Sequence, residues 1–223
     1  MAELPSCVRV ICTFSPLCKP TPTVETLVFN VRCLIILASL YFVFSYALTD
    51  KLITIDPHIH RYKSLKDIFT IPAKNLTANS LIAAYIKKKI KNPIIIGPDG
   101  ESYQWAEVIA KEIGCESTVL KKTRHSARHV TEEMTKKVDC KGKDIVIVDD
   151  IISTGHTIAE AAKKARKLGA KSITAIGVHG LFVSGLDILR KAGVNHLITT
   201  NCIEHKTNKI DVTPILVKEL KKE

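Results

Sequence analysis

The chain predicts an α/β fold: a mainly parallel sheet wound on both faces, with an atypical apolar segment in front of it. Three observations point there. From Lys51 onward, short β-branched runs alternate with amphipathic stretches of about a dozen residues, the pattern of βαβ units. Each turn rich in acids, hydroxyls or His follows one of those runs directly, which is where open α/β sheets bind ligands. The chain has 223 residues, 46% apolar and 25% charged, enough for one core plus an extra segment.

The elements follow in order. Leu52 to Asp56 predicts a strand that ends at Pro57-His58-Ile59-His60. Ser80 to Ile90 predicts a helix, and Pro93 to Gly97 a strand before the turn Pro98-Asp99-Gly100-Glu101. Ser102 to Ile113 predicts a helix stopped by Gly114. Ser117 to Leu120 is the next strand, and the polar, basic run Lys121 to His129 reads as a mobile loop. Ile145 to Asp149 is the central strand, and Thr157 to Leu168 its helix, stopped by Gly169. Ser172 to Val178 predicts a strand, Ser184 to Ala192 a helix, His196 to Thr199 a strand and Pro214 to Lys221 a closing helix. Residues 1–30 are expected to be poorly ordered.

The most informative run is Val146-Ile147-Val148-Asp149-Asp150-Ile151-Ile152-Ser153-Thr154-Gly155-His156-Thr157. A buried strand ends in two acids, then in a hydroxyl-rich turn that opens a helix. The first N–H groups of that helix have no helical carbonyl to bond, and its dipole adds positive potential there. With the hydroxyls of Ser153, Thr154 and Thr157, such a cradle suits a phosphate monoester. Asp149 and Asp150 suit a different partner, sugar hydroxyls or a metal that bridges to them.

Composition removes several function classes. The formal charge is +11, yet aromatics are 5% and no Arg/Lys stripe interleaves with them, which speaks against nucleic acid. Phosphorylated small substrates explain the sign as well, and the lysines of 87–91 and 163–167 read as solvated helix faces. Seven scattered cysteines without CxxC spacing point to free thiols in a reducing compartment, hence the cytoplasm, rather than to zinc or disulfides.

Composition shifts near Leu48, dividing the chain into 1–48 and 49–223. Cys33 to Leu48 carries no charged residue. It is shorter than the ~20 residues of a comfortable membrane span and too far from the start for an ordinary signal peptide. Three readings stay open: a membrane anchor, which is not favoured, a helix packed on the domain, or sequence foreign to the fold.

The 149–157 run resembles the phosphoribosyl-binding motif of the type I phosphoribosyltransferase fold. The family most often has Gly where this chain has His156. Further turns resemble one group within that fold. Asp56 to Arg61, Gly97-Pro98-Asp99, Lys122-Thr123-Arg124, Asp149 to Thr157, His179-Gly180-Leu181-Phe182 and Thr200-Asn201-Cys202-Ile203 occur in the order found in the C-terminal portion of the ribose-phosphate pyrophosphokinases. The similarity runs from about Asp50 to the C-terminus and is closest to archaeal-type or shorter bacterial forms.

The resemblance implies transfer of the diphosphoryl group of ATP to ribose 5-phosphate, with Mg²⁺, in nucleotide biosynthesis. It implies that Ser153, Thr154, Gly155, His156 and Thr157 hold the 5-phosphate, and that Asp149 and Asp150 hold the ribose hydroxyls. It places His58 and Asp99 near metal, and Lys122 and Arg124 on a basic segment that neutralises the transferring group. A homo-oligomer, or a complex with a related subunit, is implied as well. Read alone, His58 is a strand-end histidine, Asp99-Gly100 a turn pair, Lys122 and Arg124 solvated charges, and Asn201 and His179 caps or turn residues. His60 and Arg61 take no assigned role. The Phe-Pro-Asp-Gly-Glu and Arg-Gln-Asp segments of the family's N-terminal half do not occur in residues 1–50, so the ATP side is expected to be incomplete and activity impaired. Two alternatives remain: a phosphoribosyltransferase that consumes the activated sugar, and a non-catalytic subunit that keeps the ribose-phosphate pocket.

Overall fold

A computed structural model describes residues 8–11, 50–59, 62, 64–124 and 130–222. The chain divides into two compact units. The first comprises Met1–Thr77, Cys202–Glu204 and Thr213–Glu223. It holds a three-stranded parallel sheet of β1 (Val8–Ile11), β2 (Lys51–Ile55) and β3 (Ala73–Leu76), with β2 in the middle. It also holds the closing helix Thr213–Leu220. Leu52, Ile53 and Ile55 of β2 are buried. The expectation of poor order over residues 1–30 falls on β1 and on residues outside the described set. The apolar stretch 33–48 also lies outside it, and no described helix is long and apolar enough to cross a membrane.

The second unit comprises Ala78–Asn201 and His205–Val212. Its strands are β4 (Ile94–Gly97), β5 (Ser117–Arg124), β6 (Val130–Met134), β7 (Asp144–Ile152), β8 (Ser172–Gly180), β9 (His196–Thr200) and β10 (Asn208–Ile210). They form one sheet in the order β10-β9-β8-β7-β4-β5-β6. All neighbours are parallel except β5 and β6. The mainly parallel α/β sheet is therefore as predicted. Helices α1 (Asn79–Lys89), α2 (Tyr103–Ile113), α3 (His156–Lys167) and α4 (Asp187–Lys191) complete it.

Strands β7 and β8 are apolar along most of their length because they are buried on both faces. Val146, Ile147, Ile173 and Ile176 have no exposed surface. The small residues Ala161, Ala162 and Ala165 of α3 join Ile145, Ile147 and Ile173 in one core cluster. Arg166, near the end of α3, ties loops together by donating to the carbonyls of Ala170, Lys171 and Gly193 and to Asn195 Oδ1. Gly114 ends α2 in the left-handed conformation (φ 83°), as its sequence position predicts.

Three expectations need correction. Lys121 to Arg124 is not loop but the continuation of β5, which pairs antiparallel with β6. The register sets Lys121 opposite Glu133 and Lys122 opposite Glu132. Residues 125–129 lie outside the described set. The helix predicted over 184–192 is shorter, Asp187–Lys191, because Gly185 takes φ 74° in the turn before it. Strands β1, β3, β6 and β10 were not predicted; all are short, three to five residues each.

The sheet changes direction between β4 and β7. From β4 the chain proceeds outward to β5 and β6; from β7 it proceeds outward on the other side to β8, β9 and β10. Such a switch point leaves a crevice beyond the carboxyl ends of the two strands.

Gly177 on β8 leaves room for the Ile152 side chain of the neighbouring strand β7. A Cβ there would stand 2.6 Å from Ile152 Cγ1 and 2.7 Å from its Cδ1, and Ile152 is itself 1% exposed. Gly177→Ala is expected to cost about 1–3 kcal/mol through overpacking, seen as a lowered midpoint in urea unfolding with an unchanged slope.

Candidate functional site

The crevice between β4 and β7 is lined by acids from both strand ends. Asp99, two residues after β4, accepts at Oδ1 from the N–H groups of Glu101 and Ser102, both at 3.0 Å. The Ser102 hydroxyl, on the residue that precedes α2, is almost fully buried. It donates to Asp99 Oδ1 at 2.7 Å and reaches Asp149 Oδ1 at 3.2 Å. Asp149 Oδ1 also accepts from the Asp150 N–H at 3.2 Å, and Asp150 Oδ1 from the Ile151 N–H at 2.8 Å. One hydroxyl therefore serves two carboxylates, one from the turn after β4 and one from β7.

This arrangement is electrostatically costly. Burial first, then the negative charges of Asp150 and Asp99, push the Asp149 carboxyl well above the usual carboxylate range. The bonds from Ser102 and from the Asp150 N–H oppose the shift without cancelling it. Among the described residues, the neighbouring charges that act on Asp149 are both negative, so the site favours partners that donate or carry positive charge.

Immediately beyond, the chain turns into α3. Gly155 precedes the helix with φ 79°, and a Cβ there would lie 3.0 Å from Leu189 Cδ2. Both the conformation and the space require glycine at this point. Ser153 and Thr157 are half-buried, whereas Thr154 and His156 are exposed. No side chain caps α3. Among the described residues, none accepts a hydrogen bond from the N–H groups of Thr154, Gly155, His156 or Thr157. A row of donors at the positive end of a 12-residue helix thus stands next to the acids.

Of the residues singled out from sequence, Asp99, Asp149 and Asp150 share this crevice with the 153–157 turn. Lys122 and Arg124 lie on β5, beside β4 in the same sheet. His58 belongs to the first unit, where it is exposed shortly after β2. His60 and Arg61 lie outside the described residues. Ser102 was not singled out; the sequence signal that could have found it is Asp99, three residues ahead at a helix start, a spacing typical of capping hydrogen bonds. His179 is 1% exposed within β8, and Asn201 braces a turn by accepting from Val212 N–H at 2.8 Å.

Among the described residues no group of three or more His, Cys, Asp or Glu converges as a metal cage. The donors in the crevice are nevertheless hard oxygens with excess negative charge. They fit a divalent cation that keeps waters and takes other ligands from substrate phosphates, as Mg²⁺ does.

Residues 64–182 match the family model described as "Phosphoribosyl transferase domain", and the chain belongs to that family. Within it, the chain is a homologue of the ribose-phosphate pyrophosphokinases. It is 35% identical over 184 residues to the ribose-phosphate pyrophosphokinase of Methanobrevibacter smithii, covering 77% of this chain and 61% of that protein. With the enzyme of Pyrococcus abyssi the identity is 36% over 194 residues, covering 87% and 64%. The chain thus spans somewhat less than two thirds of the length of these relatives. The phosphoribosylpyrophosphate synthetase structure from Mycobacterium smegmatis superposes with a TM-score of 0.68 at 23% identity, over 82% of this chain and 61% of that one, a likeness of fold.

The raised Asp149 makes a test of the electrostatics. Because the folded state disfavours the charged form, stability falls as pH rises from the ordinary carboxylate value of about 4 through the higher folded value. Asp149→Asn is expected to raise the melting temperature at neutral pH by a few degrees. The difference from wild type should shrink as pH is lowered toward that ordinary value. Thermal melts of both proteins across this range check it.

Proposed function

We propose that this chain binds ribose 5-phosphate in the β4–β7 crevice and takes part in transferring the diphosphoryl group of ATP to it. The observation that carries this reading is the pairing of two opposite fields at one strand end. Unpartnered amides at residues 154–157 favour a phosphate dianion, and Asp149 and Asp150, just before them, favour hydroxyl donors. Ribose 5-phosphate carries both groups on one small framework. Membership of the phosphoribosyl transferase family and the names of the homologues support the same substrate.

In the reaction, the anomeric oxygen of the sugar attacks the β-phosphorus of ATP. The new O–P bond forms as the bond from that phosphorus to the α,β-bridging oxygen breaks. AMP leaves with the electron pair, and the hydroxyl proton is released. Such transfers depend on alignment and on neutralising negative charge. Ser153 to Thr157 hold the 5-phosphate, with His156 exposed at the first position of α3. Asp149 and Asp150 orient the ring hydroxyls and so aim the anomeric oxygen. Lys122 and Arg124 neutralise the transferring diphosphoryl group. Asp99 is assigned to hold Mg²⁺ in this crevice, and for His58 the family resemblance alone suggests a role near metal. When bound, Mg²⁺ supplies charge neutralisation along the polyphosphate. The rest of the ATP side is assigned to a related subunit, since a second copy of this sequence lacks the same segments. Free Cys115, Cys140 and Cys202 agree with a cytoplasmic setting.

AMP formation from ATP and ribose 5-phosphate with Mg²⁺, followed by chromatography, tests the reading. Pyrophosphate release from the activated sugar when a base is supplied would replace it with a transferase. Calorimetric binding of ribose 5-phosphate without turnover would leave a non-catalytic subunit. Asp150→Ala is expected to weaken ribose 5-phosphate binding by about tenfold or more. Lys122→Ala is expected to lower kcat by about 10²–10³ and leave that affinity unchanged.

A further inference from the structure

The segment that follows β8 supports the phosphate turn from the side away from its amides. The N–H groups of Leu181 and Phe182 donate to the Ile152 carbonyl at 3.0 and 3.1 Å, and the Val183 N–H donates to the Ser153 carbonyl at 3.0 Å. Ile152 and Ser153 are the residues through which β7 enters the turn. In a planar trans peptide the C=O and the following N–H point in opposite directions. Turning these two carbonyls toward residues 181–183 therefore turns the N–H groups of Ser153 and Thr154 away from them. Three hydrogen bonds thus set the peptide planes at the mouth of the turn.

The middle residue of that support is strained. Phe182 has φ 47°, a left-handed conformation that is unfavourable for a bulky residue and persists only where its surroundings enforce it. Two contacts enforce it here. The Phe182 ring lies over the bare Cα of Gly180, where a Cβ would meet Phe182 Cε2 at 2.6 Å. It also packs on the His205 ring, with centroids 4.6 Å apart and planes tilted by 44°. His205 is held in turn: its Nδ1 lies 2.8 Å from Thr207 Oγ1, and Thr207 Oγ1 lies 2.7 Å from Thr199 Oγ1 on β9, which is fully buried. The chain of contacts runs from the β9–β10 connection to the phosphate turn within the second unit.

We propose that Phe182 is a positioning residue for ligand binding. Locked between Gly180 and His205, it holds the 181–183 amides on the Ile152 and Ser153 carbonyls and so aims the turn's donors at the phosphate. The proposal rests on the reading of residues 153–157 as a phosphate site and adds what keeps that site formed. It also assigns His205, distant in sequence and with no direct part in binding, an influence on ligand affinity.

The test uses the full chain with Phe182→Ala, Phe182→Tyr and His205→Ala, and two readouts: calorimetric affinity for ribose 5-phosphate, and amide hydrogen exchange without ligand. Phe182→Ala and His205→Ala are expected to bind about tenfold more weakly, with faster exchange at residues 153–157 and unchanged exchange in α2. Phe182→Tyr keeps the ring and should behave as wild type. A role in stability alone would speed exchange throughout, or lower the melting temperature, with affinity retained. Wild-type affinity and wild-type turn exchange in folded Phe182→Ala would overturn the proposal, as would an equal loss in Phe182→Tyr. If Phe182→Ala does not fold, Phe182→Leu and His205→Ala carry the same readouts. Ligand binding by wild type that leaves the 153–157 amides unprotected would refute the phosphate reading instead, while exchange in the ligand-free variants still decides the positioning role.

Discussion

The position of β7 between two parallel neighbours is the constraint from which the site follows. Its ladder with β4 runs only over Ile94–Ile96 against Ile145–Ile147, whereas its ladder with β8 continues to Ile152 and Gly180. The last residues of β7 are thus held from one side and open on the other. On that open side stand Asp99 and Ser102, brought in by the turn after β4. Slipping β7 by one residue would exchange its faces, burying what now faces the crevice.

The site sets two fields of opposite sign side by side. The acids at the strand end accumulate negative charge that burial makes costly, and the helix that follows offers donors with no acceptor. Neither feature helps the fold, and in the proposed reading each meets a different part of one ligand. This is the usual relation between stability and function: groups whose setting costs the free protein stability cluster where ligands bind. The strain at Phe182 belongs to the same pattern, since a left-handed bulky residue is held against its own preference next to the turn.

Much of this was legible in the sequence because it is local. Strand, acids, turn and helix lie within Val146 to Lys167, and period, capping and charge could be read directly there. What was not legible depends on partners far along the chain. Ser102 bridges to an acid 47 residues away. Lys121 to Arg124 is the exception: its partner strand begins nearby at Val130, but a polar, basic composition made it read as loop. Ala73-Lys74-Asn75-Leu76 becomes β3 only because the edge of β2 pairs with it. The anchoring of the turn by Leu181 to Val183 was invisible for the same reason, although the His179 to Phe182 run itself stood out.

The most direct test of the central claim is a crystal structure of the chain with ribose 5-phosphate. The account predicts phosphate oxygens within about 3 Å of the backbone N–H groups of residues 154–157, and ring hydroxyls on the carboxylates of Asp149 and Asp150. A sugar phosphate bound elsewhere, or seated here with its phosphate on the acidic side and its ring toward α3, would contradict it.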